Sequence, residues 1–68
     1  MKQQDCKEIR LSLKLSQTQF SEKFGIPVGT IRNWEQKKRD PDQASNILLC
    51  VIKLSPHTVA AAINAETI

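Results

Sequence analysis

The tripeptide Gly25-Ile26-Pro27 constrains the fold of this chain more than any other stretch. Proline has no amide hydrogen and its ring clashes with the preceding turn, so no helix runs through position 27, although one can begin there. Two residues earlier, glycine supplies the left-handed backbone that closes a helix without a Cβ clash. On the N-terminal side, Ser16-Gln17-Thr18-Gln19 has the form of a capping box that starts a helix at Gln17. Phe20 and Phe24 then fall one turn apart on its inner face. On the C-terminal side, Ile31 and Trp34, three residues apart, form the inner stripe of the next helix. The pattern predicts two helices of about eight residues joined by a turn of about three.

The rest of the chain reads in the same way. Cys6, Ile9 and Leu13 recur at helical spacing and predict a first helix from about residue 4 to residue 13. Asp40-Pro41-Asp42 offers either of two N-caps for a fourth helix, with Ile47, Leu48, Val51 and Ile52 as its apolar residues. Ser55-Pro56, a cap followed by proline at the first helical position, opens a short fifth helix carrying Val59, Ala62 and Ile63. No stretch alternates with period two over a useful length, and there is no repeat. The expectation is an all-α fold of five helices. With 68 residues, 1–68 form one domain, whose core draws on Ile9, Leu13, Phe20, Phe24, Ile31, Trp34, Leu48 and Val51.

Charge is divided along the chain. Residues 1–39 hold nine Lys and Arg against four Asp and Glu, a balance of +5, whereas residues 40–68 hold Lys53 against three acids, a balance of −2. Such a split fits a surface facing a polyanion with a separate back side, or a solvated charged face. The polar start MKQQDCKEIR contains neither a signal peptide nor a membrane span, so the chain is expected in the cytoplasm, with no membrane partner. Cys6 and Cys50 are too far apart for a zinc knuckle or redox pair and read as small core hydrophobes. His57 is the sole histidine and has no Cys, Asp or Glu partner at ligand spacing. We expect no enzyme activity, no metal and no cofactor.

A helix-turn-helix over about residues 16–36 presents its second helix to a groove. The major groove of B-DNA admits an α-helix and displays a distinct pattern of donors, acceptors and thymine methyls for each base pair. Residues Val28, Gly29, Thr30, Arg32 and Asn33 occupy the stretch that would enter. Asn33 suits adenine, Arg32 suits guanine or a phosphate, and Val28 suits a thymine methyl. Gly29 lowers helix propensity by about 1 kcal/mol relative to Ala. It serves either close approach to DNA or an easier turn after Pro27. Ser16, Gln17 and Thr18, at a helix N-terminus, are candidate backbone clamps for a phosphate. Lys37, Lys38 and Arg39 follow the third helix, as neutralisers of flanking phosphates or as a solvated cationic loop.

The stretch "LKLSQTQFSEKFGIPVGTIRNWEQKKRDPD" resembles the helix-turn-helix of the Cro/C1-type (XRE) repressor family, and the tail "ILLCVIKLSPHTVAAAI" is similar to HigA-type antitoxins. The resemblance implies a five-helix, lambda-repressor-like DNA-binding domain and a homodimer on a palindromic double-stranded operator. It further implies autorepression of a type II toxin–antitoxin operon, with a RelE/HigB-like toxin as partner. A small phage Cro-like regulator, or a protein-interaction adaptor that reads no DNA, are the alternatives. Such repressors often pair an Arg of the first helix with a Glu near the end of the third, which carries over to Arg10 and Glu35. The sequence departs from the family at Lys14 and Lys37, where glycine usually follows a helix, and at Pro27, which replaces a Ser or Thr cap. Many HigA-like antitoxins also carry a toxin-embracing segment, and with almost nothing ahead of the first helix the expectation of toxin neutralisation is weaker here.

Overall fold

The computed structural model describes residues 3–66, in five helices: α1 (Cys6–Ser12), α2 (Gln17–Phe24), α3 (Val28–Glu35), α4 (Gln43–Leu54) and α5 (Pro56–Glu66). The helix ends follow from local chemistry. Asp5 caps α1 through the amide of Glu8, and Asp42 caps α4 through that of Ser45, which selects one of the two acids before that helix. Ser16 and Gln19 form the complete capping box of α2. Gly25 closes α2 at a φ of 68°. Lys14 and Lys37 are also left-handed, at φ 59° and 60°. Each follows a helix whose last carbonyls it helps to satisfy. After α3, Lys37 and Lys38 donate their amides to Trp34 and Asn33, and after α1, Lys14 and Leu15 donate to Leu11 and Arg10. These are Schellman closures made without glycine, at roughly 1–2 kcal/mol of left-handed strain each.

The helices pack in a ring of neighbours: α1 against α3 and α4, α2 against α3 and α5, and α4 against α5. At the centre, Phe20 and Phe24 meet with ring centroids 4.8 Å apart and planes tilted by 58°, a favourable aromatic geometry. Ile31, Leu49 and Ile52 complete the deepest layer, with Cys6, Ile9, Ile26, Val59 and Ala60 around it. Leu13, Trp34 and Leu48 are partly buried and pack against this cluster. Among the described residues, no single helix is long and apolar enough to cross a membrane.

The structure corrects the register of α4. Val51, expected in the core, is 41% exposed, and Ile47 is exposed too, while Leu49 takes the inner place beside Ile52. The run Ile47 to Ile52 is apolar on every side, so its periodicity did not single out a face. The inner face carries Leu49, Ile52 and Asn46, a buried polar residue whose side-chain oxygen accepts the backbone amide of Gln4, 42 positions away. In α5 the buried residues are Val59 and Ala60, and Ala62 is exposed. Cys50 is only half-buried, unlike Cys6.

This register predicts unequal costs on truncation. Leu49→Ala should lower unfolding free energy by about 2–5 kcal/mol, whereas Val51→Ala should stay within about 0.5 kcal/mol of the parent. Urea denaturation of the two variants checks it, and equal costs would restore Val51 to the interior.

Candidate nucleic-acid interface

The site is built on a part-buried ion pair. Arg10 Nε donates to Glu35 Oε2 at 2.7 Å and Nη2 to Glu35 Oε1 at 2.9 Å, a two-pronged contact between α1 and the end of α3. The two side chains are only 12% and 6% exposed. Arg10 Nη1 donates to the carbonyl of Leu15 at 2.9 Å, just past the left-handed Lys14. Hydrogen bonding to the Arg10 guanidinium holds the Glu35 carboxyl below its ordinary value of 4.5, against the opposing effect of burial. The expected pairing of Arg10 with Glu35 is therefore present. It also extends further than the sequence suggested. Gln17 Nε2 donates to Glu35 Oε1 at 3.2 Å, which turns Gln17 Oε1 towards Arg32, whose Nε donates to it at 3.4 Å. A chain of polar contacts thus runs from inside α1, across the start of α2, to the exposed side of α3.

On α3, Ile31 is fully buried and Trp34 partly, so the helix is anchored by the stripe read from the sequence. Gly29 and Arg32 are exposed, and Val28, Thr30 and Asn33 are half-exposed. Pro27 stands at the N-cap with no side-chain hydrogen bond, and its carbonyl accepts the amides of Thr30 and Ile31. A Cβ placed on Gly29 would meet nothing within 4 Å, and the residue has no positive φ. Nothing within the chain requires glycine at this position.

At the start of α2, the Ser16 hydroxyl accepts the Gln19 amide at 3.1 Å, and the Ser16 amide donates to Gln19 Oε1 at 2.9 Å. The capping box therefore engages the Ser16 amide, leaving its hydroxyl hydrogen as the group able to meet an anion. Gln17 and Thr18 occupy the first turn, where amides have no intrahelical acceptor.

The three cations after α3 do not act as one cluster. Thr30, Asn33, Trp34 and Arg39 line a 370 Å³ depression together with Asp40, Asp42 and Ser45. Lys37 lies beyond Trp34, in a second depression beside Asp5, Glu8 and Asp40. Lys38 is exposed and borders neither. The sequence reading missed the Gln17 side chain, considered only for its backbone, and Ser45 with its acidic neighbours. The cap pattern placed the start of α4 but carried no sign of which helix it would adjoin.

Two short helices meeting at a glycine-closed turn, the second presenting a polar face, define a helix-turn-helix protein. A family model described as helix-turn-helix matches residues 7–49. A crystal structure of an HTH XRE-family like protein from Agrobacterium tumefaciens is similar to the chain at 46% identity and a TM-score of 0.82, over 84% of this chain and 92% of that one. No curated protein matches. The chain belongs to the Cro/C1-type (XRE) helix-turn-helix family, whose members bind DNA, and its function class is that of a DNA-binding transcriptional regulator.

The ion pair makes stability depend on acid. Because folding favours the Glu35 carboxylate, its contribution is whole above pH 4.5 and is lost as pH falls through the lowered folded value. Glu35→Gln should flatten that part of the stability profile. Arg10→Ala, which leaves the part-buried Glu35 carboxylate with Gln17 as its remaining donor, should cost about 1–3 kcal/mol. Thermal melts at stepped pH check both, and an Arg10→Ala melt equal to the parent's would remove the pair's structural role.

Proposed function

We propose that the chain is a sequence-specific transcriptional repressor, that residues 1–68 act as one DNA-binding domain, and that two copies grip a palindromic operator with their α3 helices about 34 Å apart. In this reading Val28, Gly29, Thr30, Arg32 and Asn33 face base edges. Gln17 and Thr18 offer backbone amides to a phosphate, joined by the Ser16 hydroxyl, and Lys37, Lys38 and Arg39 supply cations along the flanking backbone. The observation that carries it is Gly29. A helix-weakening residue with open space around it, on the exposed face of the second helix, is what close approach of another molecule's backbone or bases asks for. Gly29 has no positive φ, so left-handed backbone does not account for glycine there.

We further propose that this repressor is the autorepressing antitoxin of a type II toxin–antitoxin operon. Support comes from the likeness of the tail to HigA-type antitoxins. A RelE-like ribonuclease encoded beside the chain would agree with it. Phage genes there would point instead to a Cro-like regulator.

Gly29→Ala separates fold from function. It should raise stability by up to about 1 kcal/mol, since the added methyl clashes with nothing, and yet weaken binding to the DNA upstream of the chain's own gene. Calorimetric melting together with gel shift reads both effects, and unimpaired binding would show that α3 approaches DNA less closely than proposed.

Base and phosphate roles are distinguishable. Asn33→Ala should cost about 1–3 kcal/mol at one operator position, whereas Lys38→Ala should weaken binding to every sequence and reduce the salt slope by about one. Contact with roughly six phosphates implies an affinity loss of about a thousandfold between 50 and 200 mM salt. Fluorescence titrations on operator and scrambled duplexes test this, and indifference to every duplex at low salt would favour a protein adaptor.

A further inference from the structure

Among the described residues, three of the four large apolar side chains left exposed lie on α4: Ile47 at 43%, Val51 at 41% and Leu54 at 80%, the fourth being Leu11 of α1. Intervals of four and three place them on one stripe, opposite Leu49 and Ile52 in the core, with half-buried Cys50 at its edge. The only charged residue of α4 is Lys53, which borders depressions shared with Asp5 and Glu8 on the α1 side. The stripe itself carries no charge.

We propose that this stripe is where two copies of the chain meet, α4 lying antiparallel on the partner's α4 about a two-fold axis that passes between positions 50 and 51. The proposal rests on the homodimer of the preceding subsection and names its surface. The stripe is self-complementary: its midpoint falls between Cys50 and Val51, so Ile47 faces the partner's Leu54 and Leu54 faces the partner's Ile47. A two-fold contact needs this of a patch that serves as both halves of an interface. Antiparallel pairing also sets each helix N-terminus beside the partner's C-terminus, where the helix dipoles attract. Charge distinguishes this side from the other. Residues 1–39 carry +5 and residues 40–68 carry −2, so two copies repel less when they meet on the second half, and the stripe itself is neutral. A polyanion finds no cation on the stripe to hold it. Three exposed large apolar side chains are few beside the roughly 20–30 residues a side of a standard interface. The dimer is accordingly weak in free solution and is completed when one duplex holds both copies.

The test is run without DNA, so that it stands apart from DNA reading. Sedimentation of the full chain should show a monomer–dimer equilibrium at concentrations up to about 1 mM. Leu54→Glu should raise the dissociation constant about tenfold or more, with the fold retained and the melt lowered only slightly, because Leu54 is exposed but a carboxylate there opposes the helix dipole. A short bis-maleimide should link Cys50 to the partner's Cys50, and Cys50→Ser should abolish the product. Cys6 does not compete, because it is buried and its thiol is pushed up to about 12. A monomer at every concentration, a dimer indifferent to Leu54→Glu, or a dimer in which Cys50 is not linked would each overturn the proposal and leave the stripe to another occupant. A DNA half-site provides the separate control. If it is bound equally by parent and Leu54→Glu, DNA reading holds independently of the interface, and if it is ignored by both while the dimer persists, the repressor reading falls and the surface stands.

Discussion

The apolar anchors Ile31 and Trp34 hold α3 on the core, and one part-buried contact, that of Arg10 with Glu35, ties it to the neighbouring helices. Taking two charges out of water is costly, and an apolar pair of similar volume often stabilises a fold as well or better. The value of this pair lies in its geometry. A guanidinium fork can meet a carboxylate with two parallel bonds only in a narrow range of orientations. Here those bonds fix the rotation of α3 about its own axis relative to α1. A third bond from the same guanidinium to the Leu15 carbonyl secures the turn into α2. The remaining acceptor capacity of Glu35 goes to Gln17. One part-buried pair therefore relates α1, the start of α2 and the end of α3, and the last two of these carry most of the proposed DNA-facing groups.

The turns between these helices show a compromise between strain and charge. Among the described residues, three positions are left-handed, and glycine occupies one of them, residue 25, while the other two are lysines. Each lysine incurs steric strain but also places a cation near a helix C-terminus, where the dipole favours it. The cost is partly offset electrostatically. Lys37 additionally turns the chain so that the cations after α3 fall on different sides of Trp34. A glycine would relieve strain at that position while removing one positive charge from the basic half of the molecule.

How much of this was legible in the sequence depends on how local each cause is. The boundaries of α2 could be read from Ser16, Gln19 and Gly25 because caps act within four residues. The inner stripe of α3 could be read from Ile31 and Trp34 because polar residues surround it. The register of α4 could not, since six consecutive apolar residues fit several faces, and the contacts on its inner side, such as that of Asn46 with Gln4, reach across most of the chain. The Arg10–Glu35 pair was reached through family resemblance. No local pattern links residues 25 positions apart. The dispersal of Lys37, Lys38 and Arg39 was hidden for a similar reason. It follows from a left-handed turn and from where α4 begins, both outside the run itself.

The caps also bear on where a nucleic-acid backbone could lie. Two helix N-termini flank the exposed side of α3, those of α2 and α4, and they differ in what caps them. Ser16 is neutral, so the dipole and the first-turn amides of α2 retain their attraction for an anion. Asp42 is a carboxylate that accepts the Ser45 amide at 2.7 Å, and this hydrogen bond holds its carboxyl below the ordinary range, so that it remains ionised. Asp40 adds a second negative charge in the same depression. A phosphate approaching α4 would meet those charges with Arg39 as the counterweight, whereas one approaching α2 meets amides and a hydroxyl. On the proposed reading, the backbone nearest the recognition helix is held mainly from the α2 side, with Arg39 screening the acids on the other. The choice of Ser at one cap and Asp at the next, a small difference for helix stability, then becomes a large one for the direction in which a polyanion can cross the molecule.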